Sequence, residues 1–140
     1  MPTTDDEGLA ELLDVDRIAV IGCSTTPGKA AHDIPAYLQR HGYEIHPVNP
    51  FADEVLGRPA HDSLADVPEP VDLVDVFRPS EEVPDIVDET IERREGHGDV
   101  EGLWLQLGIS DDAAAERAET AGLRVVQDRC IKVEHGRVVG

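Results

Sequence analysis

The residues best suited to chemistry lie between Gly22 and Lys29, in the run Gly-Cys-Ser-Thr-Thr-Pro-Gly-Lys. Branched apolar residues (Ile18, Val20, Ile21) lead into this run and a helical pattern follows it, the layout of a strand, a turn and a helix. The first amides of a helix lack intrahelical acceptors and carry partial positive charge, so such a turn can receive a phosphate group. The expected chemistry is binding of a nucleotide-type anion. Cys23 stands where a helix N-terminus can lower a thiol pKa; the plainer expectation is a small residue filling a tight turn. Cys130 has no histidine at a readable spacing, so no catalytic pair is assigned to it or elsewhere. His32, His41, His46, His61, His97 and His135 form no H-x-x-x-H or Cys/His cluster, and no metal site is assigned. His32, in the first turn after the loop, is either a phosphate contact or a solvated residue. Asp72 and Asp75, three apart on a strand, point to opposite faces and make no carboxylate pair, while Trp104 reads as core.

The elements that must position the loop follow from period and punctuation. Strands are expected at Arg17–Gly22, Tyr43–Val48, Val71–Phe77, Gly102–Leu107 and Leu123–Gln127. Between them, helices are expected from about Ala30 to His41, from a Ser80 cap to about Glu95, and from an Asp111 cap over Ala113–Ala121. Pro35 is expected in the first turn of its helix, where no acceptor is lost. Residues 1–16 read as a small amphipathic helix carrying Leu9, Leu12 and Leu13, and Leu56–Val67 as an irregular connection. Ile131–Val139 reads as a closing strand or a hairpin around His135–Gly136, and Asp128 and Arg129 as an ion pair at the sheet edge. Alternating strands and helices imply right-handed parallel crossovers, hence an α/β fold: a Rossmann-like, doubly wound, five-stranded parallel sheet with helices on both faces, in three layers. Ligands of such sheets sit beyond the carboxyl ends of the strands where the winding reverses, so the loops at Cys23–Gly28, Asn49–Phe51 and Arg78–Ser80 are expected to share one cleft.

At 140 residues the chain is sized for a single domain, 1–140, with a core that needs no disulfide framework from its two cysteines. No run of about 18 apolar residues and no basic-then-apolar leader is present, which points to a cytoplasmic protein. Thirty acidic residues against twelve basic ones give a formal charge of −18. That surface repels nucleic acid and anionic membranes, so neither is an expected partner. It also repels itself. At molar salt the Debye length falls to about 3 Å, and the acidic residues are spread along the chain, so a halophilic protein is expected.

The identity of the nucleotide is decided away from the loop. A dinucleotide site needs G-x-G-x-x-G and an acid ending the second strand; here Gly22 and Gly28 enclose Cys-Ser-Thr-Thr-Pro, and the strand ends in Val48-Asn49-Pro50. Gly28-Lys29 is followed by Ala30, where a P-loop requires Ser or Thr, which argues against magnesium-dependent phosphoryl transfer. A neutral Asn49 suits a ligand whose ribose carries a phosphate. The segments GCSTTPGKAAHDIPAYLQRHGYEIHPVNPFADEVLGRPAHDSL, EPVDLVDVFRPSEEVPDIV, LWLQLGI and VVQDRCIKVEH resemble the small stand-alone CoA-binding domain proteins, similar to the nucleotide-binding domain of the succinyl-CoA synthetase α subunit. The resemblance spans about Asp16 to His135. It implies coenzyme A as ligand, with Gly22, Cys23, Ser24, Thr25, Pro27 and Lys29 near the phosphates, Asn49 and Pro50 flanking the adenosine, and Phe77, Arg78 and Pro79 near the adenine or pantetheine. Lys29 replaces the family's usual arginine and Ala31 its usual serine, so phosphate binding passes from a bidentate fork to a point charge. The implied function is binding of CoA or acyl-CoA as a non-catalytic carrier, sensor or accessory domain, with a homodimer or partner enzyme left open. The alternatives are a CoA-supplying subunit of an acyl-CoA ligase and an NAD(P)-binding oxidoreductase.

Overall fold

Branched apolar runs and well-placed turn residues build a regular α/β alternation. The computed structural model describes residues 4–68 and 70–140. In chain order the elements are α1 (Asp6–Leu12), β1 (Arg17–Ile21), α2 (Ala30–Arg40), β2 (Glu44–Val48), the two-residue strands β3 (Glu54–Val55) and β4 (Arg58–Pro59), β5 (Leu73–Val76), α3 (Val83–His97), β6 (Gly102–Leu105), α4 (Asp112–Thr120), β7 (Arg124–Val126) and α5 (Ile131–Val138). The main sheet has the order β2-β1-β5-β6-β7, every neighbour parallel. Such strands are covered on both faces, which is why they read as continuous apolar runs.

Alternate side chains of the sheet feed two cores. Ala19, Ile21, Val74, Val76, Leu103 and Leu105 pack with Val83, Ile86 and Val87 of α3 and with Ala114, Ala115 and Ala118 of α4. Ile18, Val20, Leu73, Trp104 and Val126 pack with Leu9 and Leu12 of α1, Leu38 of α2 and Ile131 of α5. The three-layer, Rossmann-like expectation therefore holds. Leu9 and Leu12 seat the N-terminal helix as expected; the part of that segment at residues 1–3 lies outside the described residues.

Four local expectations are corrected. Ile131–Val138 is a helix, because its buried residues Ile131, Glu134 and His135 recur at i, i+3 and i+4, a spacing that a strand reading of the same apolar letters overlooks. Gly136 is tolerated there against α2, where a Cβ would sit 3.7 Å from the Tyr37 hydroxyl. The connection after β2 is not wholly irregular: β3 and β4 pair antiparallel and a 3-10 turn covers Leu64–Asp66. Arg93 on α3 pins that turn, donating to the carbonyls of Leu64 (2.9 Å) and Val67 (2.6 Å) while it pairs with Asp99 at 2.8 Å. Asp128 and Arg129 do not pair: Asp128 accepts the Gly108 N–H at 2.6 Å and Arg129 binds Glu134 at 2.7 Å, because Asp128 turns the chain at φ 55° and separates the two side chains. Ser80 opens a 3-10 turn, and its hydroxyl accepts the Ser110 N–H at 3.1 Å instead of capping α3. The expected Asp111 cap is present, its carboxylate accepting the Ala114 N–H at 3.0 Å.

Candidate functional site

The winding reverses at β1, which lies between β2 and β5. At that point the carboxyl ends of the three strands open on a cleft of about 580 Å³. Ile21, Gly22, Cys23, Ser24 and Lys29 line it from the first loop, Val48, Asn49, Pro50 and Phe51 from the end of β2, and Phe77 and Arg78 from the end of β5. Asp62, Glu82 and Glu89 also reach it, so the walls carry both signs of charge. Thr25, Pro27 and Pro79 do not form part of this lining.

The first loop is held in shape by its own bonds. The Ser24 amide donates to the Ala31 carbonyl at 2.9 Å, the Thr26 amide to Ser24 Oγ at 3.0 Å, the Gly28 amide to Asp33 Oδ1 at 3.1 Å and the Lys29 amide to the Thr26 carbonyl at 3.3 Å. These four bonds brace the loop although Thr26, Gly28 and Lys29 are exposed; the first amides of α2, on which the phosphate expectation rests, are a separate set. Pro35 has a part in this. It is the sixth residue of α2, not a first-turn residue, so the Ala31 carbonyl loses its i+4 donor and takes the Ser24 amide instead. His32 bonds Asp33 Oδ1 at 2.9 Å, and that hydrogen bond, followed by the one from Gly28, holds the Asp33 carboxyl below its usual range.

Two groups show why burial matters here. Cys23 is buried, and that pushes its thiol up to about 12, with the Asp75 carboxylate acting in the same direction. A thiol so raised is not a nucleophile, and the turn-filling expectation for Cys23 holds. Asp75 on β5 is buried completely, and among the described residues its two oxygens are the buried side-chain atoms without a hydrogen-bond partner. Burial holds its pKa far above the ordinary carboxyl value; the neighbouring Val76 amide opposes this but is not aligned as a hydrogen bond. Asp72 instead accepts the amides of Asp16 (3.1 Å) and Arg17 (2.9 Å), so the two aspartates are indeed separate.

Arg78 and Lys29 are the two cations of the lining. The Arg78 fork is clasped by Glu82, Nε to Oε1 at 3.1 Å and Nη2 to Oε2 at 2.6 Å. Glu82 is thereby held below its ordinary pKa, and its carboxylate sits where an anionic ligand of Arg78 has to compete. Asn49 joins two walls: its Nδ2 donates to the Cys23 carbonyl at 2.9 Å and its Oδ1 accepts the Phe51 amide at 2.8 Å. Phe51 lines the cleft as a member of the expected Asn49–Phe51 loop, whereas Asp62, Ser63, Glu82 and Glu89 are lining residues that sequence spacing did not single out.

Away from this cleft, His41 and His135 meet with ring centroids 5.0 Å apart, and the Tyr37 hydroxyl lies 2.9 Å from His135 Nδ1. Among the described residues no three His, Cys, Asp or Glu side chains are placed to hold a metal ion. No described helix is long and apolar enough to cross a membrane.

A family model for the CoA binding domain matches residues 16–136. The protein YneT of Bacillus subtilis (strain 168) is 40% identical over 119 residues, spanning 85% of this chain and 84% of that protein. Acetate–CoA ligase [ADP-forming] I of Archaeoglobus fulgidus is 34% identical over 125 residues, which is 81% of this chain but only 17% of the ligase. A solved hypothetical protein from Pyrococcus horikoshii OT3 superposes with a TM-score of 0.90 at 34% identity, covering 100% of this chain and 97% of that one.

Proposed function

The chain belongs to the CoA-binding domain family, and from that premise we propose that it binds coenzyme A or an acyl-CoA in the β1 cleft, as a non-catalytic carrier, sensor or accessory domain of the cytoplasm. The observation that carries the reading is the meeting of Lys29 and Arg78, from separate chain segments, at one cleft over the point where the winding reverses. The residues fit the nucleotide end of such a ligand. A volume of about 580 Å³ lies in the ordinary range of small-molecule sites. Lys29 and Arg78 would take the phosphates, Gly22 lets the Arg78 stem pack where a Cβ would otherwise lie, and Asn49 puts no acid against a phosphorylated ribose. CoA when bound supplies the thiol that carries acyl groups; the chain's own work is to hold the nucleotide and to neutralise its charge inside an acidic protein.

The match to one segment of a longer acetate–CoA ligase supports a second reading, in which this domain supplies CoA to a partner that does the ligase chemistry. Both readings require CoA binding, and one measurement tests it. Thermal unfolding in high salt with CoA, dephospho-CoA, acetyl-CoA or NAD is expected to show stabilisation by CoA of about 2.7 kcal/mol at 100 times its dissociation constant. Stabilisation by NAD and not by CoA overturns the reading, and an equal response to CoA and dephospho-CoA removes the role assigned to the 3′-phosphate.

We also propose that the protein is adapted to salt, on the strength of its −18 charge. Self-repulsion of that size is screened as the Debye length falls from about 10 Å at 0.1 M to about 3 Å at 1 M salt. The melting temperature is therefore expected to climb steadily over that range of KCl concentration. A flat or falling series counts against salt adaptation.

A further inference from the structure

Phe51 is 96% exposed, the most exposed large apolar side chain among the described residues, in a chain with only two phenylalanines. Single exposed apolar residues are common and carry no message by themselves. Phe51 differs in where it stands and in how it is held. Both phenylalanines, Phe51 and Phe77, line the β1 cleft, whereas the other exposed apolar residues, Leu107, Val133 and Val139, do not. The Phe51 backbone is fixed by its bond to Asn49 Oδ1, Pro50 restricts the peptide between them, and the same Asn49 side chain is tied to the Cys23 carbonyl. An aromatic face is thus anchored to the loop that carries Lys29, in the same cleft as Arg78.

A nucleotide has two ends of opposite chemistry: charged phosphates, and a planar base that is poorly hydrated on its faces. The cleft offers the match for both, two cations and an uncovered ring in one lining. We propose that Phe51 is the platform on which the purine of the bound nucleotide stacks, a positioning residue that sets preference for a base-bearing ligand. This rests on the CoA reading of the cleft. Stacking on an aromatic ring is insensitive to the hydrogen-bonding edge of the base, so it selects for a nucleobase while leaving the identity of the purine to other contacts.

The test compares wild type and Phe51→Ala by calorimetric titration in high salt with three probes: CoA, adenosine 3′,5′-bisphosphate and 4′-phosphopantetheine. Loss of the ring is expected to weaken CoA and adenosine bisphosphate by about tenfold, with phosphopantetheine bound as by the wild type. Phe51→Tyr, which keeps the ring, is expected to restore the affinity. Because the side chain is exposed, Phe51→Ala keeps the wild-type melting temperature without ligand, which separates lost stacking from lost folding. In Phe51→Trp, a new exposed indole, distinguishable from the buried Trp104, is expected to be quenched by adenosine bisphosphate and not by phosphopantetheine. Unchanged affinity of Phe51→Ala for CoA overturns the stacking role alone, as does an equal loss for all three probes. Failure of the wild type to bind CoA at all overturns the reading of the cleft, and the stacking role with it.

Discussion

Asp75→Asn is expected to raise stability at neutral pH and to lose that advantage in acid. The Asp75 carboxyl is fully buried on the central strand β5, has no hydrogen-bond partner, and is held by desolvation far above its ordinary pKa. In the unfolded chain the same group ionises near pH 4. Between that value and the raised folded value, the folded state holds a proton that the unfolded state has released. Unfolding is then favoured by rising pH, with a slope of up to about 1.4 kcal/mol per pH unit from this single group. The contribution of Asp75 is thus full below about pH 4 and is lost as pH rises towards its folded pKa. Asparagine has nearly the same shape and does not titrate, so the variant escapes the slope. Chemical denaturation of both proteins from pH 4 to pH 8 checks this: the curves should converge at the acid end and separate upward, by more than about 1 kcal/mol at pH 7.5. Parallel curves would mean that the carboxyl finds a partner and ionises normally. Asp75 also acts on Cys23, whose thiol is raised by burial first and by the Asp75 carboxyl second, so Asp75→Asn leaves burial, the larger cause, in place and the thiol unreactive.

The other large effect is at Gly22, where Gly22→Ala is expected to cost both stability and CoA affinity. Gly22 has φ +84°, and an added Cβ would lie 2.9 Å from Arg78 Cδ and 3.2 Å from the Phe77 carbonyl oxygen. An L-residue in this region costs about 1–2 kcal/mol by itself. The contact adds to that, and it has to move either the Arg78 stem or the end of β5. Arg78 is one of the two cations of the cleft, so the affinity for CoA is expected to fall by at least about tenfold, the equivalent of some 1.4 kcal/mol. Gly57→Ala supplies the control. Gly57 has φ +74° in the β3–β4 turn, nothing lies within 4 Å of its Cβ position, and it is not part of the cleft. It should lose a similar backbone term and keep its CoA affinity. Wild-type affinity in Gly22→Ala would show that Arg78 is not constrained through this contact.

Both effects depend on neighbours that no local reading supplies. Asp75 follows the β5 alternation correctly, and spacing separates it from Asp72; that its face of the sheet offers no donor is a property of the helices packed there. Arg78 is legible as a cation at a strand end, while its capture by Glu82 depends on the 3-10 turn that starts at Ser80 and brings the carboxylate round. Pro35 shows the same limit: composition marks it as awkward in a helix, and only the approach of Ser24 explains where the freed Ala31 carbonyl goes. His41 and His135 lie far apart in the chain and at no motif spacing, and they meet because α5, misread as a strand, packs against α2.

The sequence by itself determined the alternation of strands and helices, the parallel sheet, the loop after β1 and its absent dinucleotide glycines. These are set by short-range physics: branched apolar runs, caps, and turn residues acting within a few positions of one another. Tertiary structure alone decided which donors and acceptors meet. It bonded amides of the loop to the chain's own acceptors, gave Arg78 a carboxylate, left Asp75 without a partner and stood Phe51 exposed in the lining of the cleft. The reason is that a polar group's partner is chosen by what the fold brings within about 3 Å of it, and segments distant in sequence make that choice.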